Sequence, residues 1–244
     1  MNYIFANWKM YLDFDETMIL AHQIIPKVAA LNNTTVAIFP NTLAISEMIK
    51  ATQDTNIAIG AQTINWVEKG AYTGAVSAHL VKEIGCQYAL VGHSERRYIF
   101  GETNEDIRKK IAACLDEGIT PVLCVGETQE DKDNGKEEYR IKKQLKKALE
   151  GLEITKECII AYEPVWAVGT GNECDPELAE EKSRMIRTEV AQYTKAPVRV
   201  LYGGSVDASN VVSYIVRSHI DGVLIGSASA KEKTCTNIIN ALTV

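Results

Sequence analysis

The chain has 244 residues, 46% of them hydrophobic, which suffices for one large α/β domain or for two small domains. Its formal net charge of −6 argues against a nucleic-acid-binding protein, because such proteins usually carry a basic surplus. A local basic site for a small anion stays open, since net charge does not fix the sign of a pocket.

The cysteine spacing and the N-terminus bear on the cellular compartment. Six cysteines are far apart and form no C-x-x-C pair, so we expect free thiols, no metal site and no disulfide framework, as in a reducing cytoplasm. The N-terminal segment 1–9 resembles a strand and lacks the basic start of a signal peptide. Because no apolar run approaches the roughly 18 residues that cross a bilayer, we expect a cytoplasmic protein with no membrane partner.

Short apolar runs rich in Val, Ile and Leu recur along the whole chain. They predict eight strands: Tyr3–Asn7, Thr35–Phe39, Asn56–Gly60, Gln87–Gly92, Thr120–Val125, Glu157–Tyr162, Val198–Tyr202 and Gly222–Ile225. Continuous apolarity, without alternation, is typical of parallel strands that are buried on both faces.

Segments with helical periodicity lie between these runs. Thr103 opens one helix, which Gly118 ends. An apolar stripe runs along residues 138–152 at Ile141, Leu145, Leu149 and Leu152. The sequence Asp175-Pro-Glu starts a further helix, with Asp175 as its N-cap.

Eight strands alternating with helices form either a closed barrel or a doubly wound open sheet. No G-x-G-x-x-G pattern follows the first strand, which weakens the dinucleotide-binding form of the open sheet. We therefore predict a single-domain α/β protein over residues 1–244, a (βα)8 barrel with eight parallel strands and surrounding helices.

Residues at the carboxyl ends of the strands are the candidates for chemistry, since active sites of such barrels gather there. Lys9 follows the first strand, and its ammonium points either into the barrel mouth or to solvent. His93 follows the fourth strand and precedes a helix start, where free N–H groups would depress its pKa and keep the ring neutral. A lone histidine is more often structural.

The segment 158–171 is the most informative part of the chain. Glu163 ends a buried strand, where desolvation would raise its pKa and make it a better base. Pro164, Trp166 and Gly169 give the following residues the composition of a lid. The alternative is a strand-end carboxylate that caps a helix, followed by an ordinary loop.

Two glycine- and serine-containing turns follow the last two strands, at Gly203-Gly-Ser205 and Gly226-Ser227. Such turns expose backbone N–H groups to an anion, and this end of a barrel is the usual phosphate site. A base, an imidazole, a lysine and a phosphate cradle together suit proton abstraction beside the carbonyl of a small phosphorylated substrate.

Seven short patterns span the chain: N-W-K-M at 7–10, G-A-Y-T-G at 70–74, G-H-S-E-R-R at 92–97, C-V-G-E at 124–127, A-Y-E-P-V-W-A at 161–167, G-T-G at 169–171 and Y-G-G-S at 202–205. In this order they resemble the triosephosphate isomerase family from end to end. The resemblance implies interconversion of dihydroxyacetone phosphate and D-glyceraldehyde 3-phosphate, in glycolysis and gluconeogenesis, with no cofactor and no metal.

The resemblance also assigns roles. Glu163 would carry the proton between carbons, His93 would polarise the carbonyl, Lys9 would balance the substrate's charge, and Asn7 would help to place it. The residues expected to offer N–H groups to the phosphate are Gly169, Ser205, Gly226 and Ser227. Glu95 would stand beside Lys9 in a supporting role. Independently of the resemblance, the position of Glu127 after the fifth strand suits a cap or a lid partner, and Trp166 belongs to the lid segment.

Family members are usually homodimers, so the resemblance implies that loop 70–77 enters the partner, with Thr73 reaching across. The chain departs from the family pattern at several places, among them Tyr11 and Thr63, each of which replaces a usual asparagine near that interface. Ser227 stands where a glycine is usual, and 172–174 reads Asn-Glu-Cys where the family has a Lys-Thr-Ala-like hinge. Ala75 replaces a glutamate that often pairs with an arginine across the interface, which leaves Arg97 without that partner.

Two other hypotheses fit less well. A catalytically silent paralogue that serves as a binding or structural module would have no reason to keep Lys9, His93 and Glu163 together. Another phosphate-binding barrel, such as a decarboxylase or a different sugar-phosphate isomerase, would need other residues at strands two and three.

Overall fold

A computed structural model describes residues 2–28, 31, 33–167 and 172–243. Within these ranges eight parallel strands close into a barrel in chain order, so the predicted (βα)8 fold is confirmed. The strands are β1 (Asn2–Asn7), β2 (Thr34–Phe39), β3 (Ile57–Ala61), β4 (Tyr88–Val91), β5 (Thr120–Val125), β6 (Cys158–Tyr162), β7 (Val198–Tyr202) and β8 (Gly222–Ile225). Each bound lies within one residue of its prediction.

Helices follow the strands on the outside of the barrel. They are α1 (Phe14–Val28), α2 (Ile45–Thr52), α3 (Ala78–Glu83), α4 (Ser94–Tyr98), α5 (Asn104–Asp116), α6 (Gln129–Asp133), α7 (Glu137–Leu149), α8 (Pro176–Val190), α9 (Val211–Ile215) and α10 (Glu232–Leu242). The predicted starts are found: Thr103 forms a capping box at α5, and Asp175 caps α8 by accepting from the backbone N–H of Glu177.

One part of the helix prediction is wrong. Helix α7 ends at Leu149, so Leu152 is not its last apolar residue. Glu150 leaves the helical conformation (ψ 121°), and Gly151 takes a φ of 74°, which stops the helix. Leu152 still packs against the core from the following loop, which explains why its spacing looked helical.

The strands are buried on both faces, as their continuous apolarity predicts. Along β1, Tyr3 and Phe5 belong to the cluster inside the barrel, whereas Ile4 and Ala6 belong to the cluster between strands and helices. The ring of Phe5 lies 5.6 Å from that of Phe39 between centroids, so aromatic side chains fill the barrel interior.

Strand β8 closes the barrel against β1 with Tyr3 opposite Gly222. A Cβ on Gly222 would lie 2.0 Å from the carbonyl oxygen of Tyr3, so only glycine permits this close approach. Closure brings the carboxyl ends of all eight strands to one rim. No helix in the described ranges is long and apolar enough to span a bilayer.

We predict that Phe5→Ala lowers the free energy of unfolding by about 3–5 kcal/mol, because it empties the barrel interior. Phe14→Ala removes the same atoms from a side chain that is 43% exposed, and should cost less than about 1 kcal/mol. Urea unfolding of both variants at one protein concentration measures the difference. Equal losses would contradict this account of the core.

Candidate active site

A cleft of about 310 Å³ opens at the carboxyl ends of the strands. It brings together residues that the sequence analysis selected at five different strand ends: Asn7, Lys9, His93, Glu163, Ser205, Gly226 and Ser227. Gly169 lies outside the described residues. The supporting residues Glu95, Glu127 and Trp166 do not line this cleft, and neither does Thr73. Their surroundings are described below.

Lys9 reaches the cleft from a backbone conformation that non-glycine residues rarely adopt, with φ at 50°. Its backbone N–H donates to Asn7 Oδ1 (3.0 Å), and Gln62 Nε2 donates to its carbonyl (2.7 Å). Its Nζ lies 2.7 Å from Glu95 Oε1. Three contacts therefore fix the lysine. Its side chain is only 13% exposed and lines the cleft, so the ammonium lies at the barrel mouth and not in open solvent.

His93 is the N-cap of α4, and its Nδ1 accepts from the backbone N–H of Glu95 at 3.2 Å. An accepting Nδ1 carries no proton, so in the neutral ring the proton is on Nε2. Nε2 lies 3.2 Å from Glu163 Oε1. The helix start thus selects the tautomer whose N–H faces the cleft.

Glu163 follows β6 and is only 2% exposed. Its Oε2 accepts from the backbone N–H of Ser94 at 2.8 Å, at the start of α4. A Cβ on Gly126 would lie 1.8 Å from the Glu163 carbonyl oxygen, and one on Gly203 would lie 2.9 Å from Glu163 Cγ. Glycines directly after both neighbouring strands therefore make room for Glu163, Gly126 for its backbone and Gly203 for its side chain.

Cys124 lies behind Glu163 on β5 and is fully buried. Burial raises the pKa of its thiol well above the ordinary value, and the charge of Glu163 raises it further. The thiol therefore stays neutral beside the carboxylate and does not add a second negative charge.

Glu127 holds the beginning of the segment after β6. Its Oε1 accepts from Trp166 Nε1 (2.8 Å) and from the Tyr162 hydroxyl (3.1 Å). Burial raises the pKa of Glu127, although these hydrogen bonds act in the opposite direction. Lys132 Nζ lies 3.6 Å from the centroid of the Trp166 ring, which is a cation–π contact.

The turns after β7 and β8 form one end of the cleft, which we call its far end. Ser205, Asp207 and Ser227 line it. The N–H of Gly203 donates to the Tyr162 carbonyl (2.8 Å), so it is used by the fold. Ser227 begins a short 3-10 turn that ends at Ala230. Lys231 follows this turn and also lines the cleft, which adds a positive charge where an anion would bind.

Sequence reasoning missed Gln62, Ser94, Lys132 and Lys231. Only Lys231 carried a usable signal, since it comes shortly after the last strand-end turn. Gln62 and Lys132 are ordinary polar residues in the sequence, and Ser94 contributes through its backbone N–H, which any residue possesses.

Arg97 does not depend on a residue at position 75. It donates to the Gly92 carbonyl (2.7 Å), to Asn104 Oδ1 (2.8 Å) and to the Cys124 carbonyl (2.9 Å). Three acceptors within the chain therefore satisfy the guanidinium of Arg97. The alanine at position 75 thus does not leave this buried charge without hydrogen-bond partners.

Comparison with known proteins fits this geometry. A family model described as "Triosephosphate isomerase" matches residues 2–242. Proteins named triosephosphate isomerase from Dictyoglomus thermophilum and Aquifex aeolicus are each 40% identical to the chain, over 98% and 97% of both sequences. A protein of the same name from Clostridium novyi is 39% identical over 97% of both sequences. The chain therefore belongs to the triosephosphate isomerase family.

Proposed function

We propose that the chain is a triose-phosphate isomerase that interconverts dihydroxyacetone phosphate and D-glyceraldehyde 3-phosphate, in glycolysis and gluconeogenesis. One observation carries the proposal: a buried carboxylate (Glu163) lies 3.2 Å from a ring nitrogen of His93 in the cleft that Lys9 also lines. Base, electrophile and cation thus meet in a cleft whose far end suits a phosphate.

The reaction moves one proton between carbons and one between oxygens. Glu163 removes a proton from the carbon beside the carbonyl, and the electron pair moves to the carbonyl oxygen to give an enediolate. His93 Nε2–H and the Lys9 ammonium stabilise the negative oxygen as it forms. Glu163 then returns its proton to the neighbouring carbon, while the other proton moves between the oxygens with the help of His93.

Binding requires the substrate's phosphate at the far end of the cleft. The turns at Ser205, Gly226 and Ser227 offer main-chain N–H groups, with Gly169 as a further donor and Asn7 placing the substrate beside Lys9. The cleft lining supports this placement, since Lys231 directly follows the turn that begins at Ser227 and also lines the cleft. Glu95 holds the Lys9 ammonium toward the substrate, and Glu127 with Trp166 anchors the segment that follows the base.

We propose a homodimer in which loop 70–77 enters the partner. The loop is closed at its base by a bridge between Asn65 and Ser77, and residues 68–75 are all exposed. A hollow beside Lys9 and His93 is lined by Met10, Ile99 and Phe100, which are 93%, 73% and 64% exposed. A protruding loop and an apolar hollow in one chain suit a self-complementary interface.

A cytoplasmic location is consistent with the thiols. All six cysteines are buried and unpaired. Such cysteines persist where thiols are kept reduced, as in the cytoplasm.

Removing the base tests the activity. We expect Glu163→Gln to lower kcat by about 10²–10⁴-fold, because an amide cannot accept the proton. Glu138→Gln makes the same change on an exposed face of α7 and should leave kcat unchanged. A coupled assay with glyceraldehyde 3-phosphate measures both. A wild-type chain that shows no turnover above background would refute the isomerase proposal.

Ser227→Gly tests the phosphate end. Without Cβ the turn can approach the phosphate more closely, so 2-phosphoglycolate should bind roughly two- to fivefold more tightly. Isothermal titration gives the affinity. If binding is unchanged or weaker, the serine does not crowd the phosphate.

Thr73→Arg tests the interface, because a charged side chain at the tip of the loop would be driven into an apolar hollow. We expect wild type to sediment as a dimer at low concentration, and the variant as a monomer with much lower activity. Tyr139→Arg, at a position of α7 that is 65% exposed, should remain dimeric. A stable, fully active wild-type monomer would contradict the proposed role of loop 70–77.

A further inference from the structure

Two buried tyrosines lie stacked beneath the phosphate end of the cleft. Tyr202 ends β7 and Tyr214 belongs to α9, and their rings are 4.1 Å apart between centroids with an interplanar angle of 19°. Burial raises the pKa of both hydroxyl groups. Both therefore stay protonated and available as donors.

The pair holds both peptide groups of Cys174. The Tyr214 hydroxyl donates to the Cys174 carbonyl at 2.6 Å, and the Cys174 N–H donates to the Tyr202 hydroxyl at 3.4 Å. Cys174 is fully buried, and the next residue, Asp175, caps α8. The Tyr214 hydroxyl is thus tied to the fixed start of a long helix.

The same pair supports the turn after β7, Gly203–Ser205, which we call the phosphate turn. A Cβ on Gly204 would lie 2.1 Å from the Tyr202 hydroxyl oxygen, so the turn rests directly on this phenol. Asn210, the residue before α9, donates to the Ser205 carbonyl at 3.2 Å. Helix α9 therefore meets the phosphate turn at two points, through Asn210 and through the stacked rings.

We propose that Tyr214 is a positioning residue for the phosphate turn. Its hydroxyl group holds the Tyr214 ring in position through the hydrogen bond to Cys174. The Tyr214 ring in turn positions the stacked ring of Tyr202. Tyr202 supports Gly204 and thereby positions the N–H groups that the turn offers to the phosphate. Tyr214 does not line the cleft, so it acts only through Tyr202 and Cys174. The inference rests on the proposed function, because it deepens the account of phosphate binding.

Tyr214→Phe tests the inference, since it removes one hydroxyl and keeps the stacked ring. We expect KM for glyceraldehyde 3-phosphate and Kd for 2-phosphoglycolate to rise about three- to tenfold, with kcat within about twofold, because phosphate binding weakens equally in the ground state and transition state. Deprotonation of D-glyceraldehyde, which has no phosphate, should be unchanged when followed by proton exchange in D2O.

Tyr193→Phe is the matched control. Its hydroxyl donates to Glu189 Oε1 near the end of α8, and it should leave 2-phosphoglycolate binding unchanged. The inference is overturned if Tyr214→Phe binds 2-phosphoglycolate as wild type does, fails to fold by circular dichroism, or loses activity toward D-glyceraldehyde by the same factor.

The two proposals can fail separately. A wild-type chain that binds 2-phosphoglycolate but does not isomerise triose phosphates would refute the proposed function, and the titration of Tyr214→Phe would still decide the role of Tyr214. A wild-type chain that neither binds nor isomerises would overturn both.

Discussion

Closure of the barrel is the constraint on which the site depends. Because every strand runs in the same direction, all eight carboxyl ends meet on one rim, and residues far apart in the chain become neighbours. The hydrogen bond from the Ser94 N–H to Glu163 Oε2 joins the ends of β4 and β6, which are not adjacent in the barrel. The close packing of Gly222 against Tyr3 completes the ring and so maintains this arrangement.

Charged groups at the rim are compensated before a substrate arrives. Lys9 is paired with Glu95, and Glu163 accepts from a helix N-terminus and lies against His93. Such partners offset the cost of burying a charge, and they also fix the direction in which each group points. His93 shows the second effect. Its Nδ1 accepts a hydrogen bond from the backbone N–H of Glu95, and Nε2 is therefore the nitrogen that carries the proton toward the cleft.

Aromatic side chains connect the two ends of the segment that follows Glu163. At the beginning of the segment, Trp166 and Tyr162 both donate hydrogen bonds to Glu127. At its end, Tyr202 and Tyr214 form hydrogen bonds with the backbone of Cys174. The rings of Tyr162 and Tyr202 lie 6.5 Å apart between centroids, so the two groups belong to one buried array. Glu163 and the turn at Gly203–Ser205 thus border the same buried array, an arrangement that suits a reaction in which both must keep a fixed relation.

The sequence by itself determined the strands, their parallel and doubly buried character, the helix starts at Thr103 and Asp175, and the candidates Lys9, His93 and Glu163. These follow from local rules, because burial pattern, capping residues and strand ends are readable along the chain. The end of α7 was misjudged at Leu152, since a residue just past a helix can pack on the core at helical spacing.

Only the tertiary structure decided the contacts between distant elements. It showed that Lys9 points into the mouth, that Ser94 contributes through its backbone, that Gln62 fixes the Lys9 carbonyl, and that Tyr214 supports Tyr202. No residue type or spacing encodes such contacts. They arise from the register and closure of the barrel, which bring a backbone N–H or a phenol ring to within a few ångströms of a partner that the chain order keeps remote.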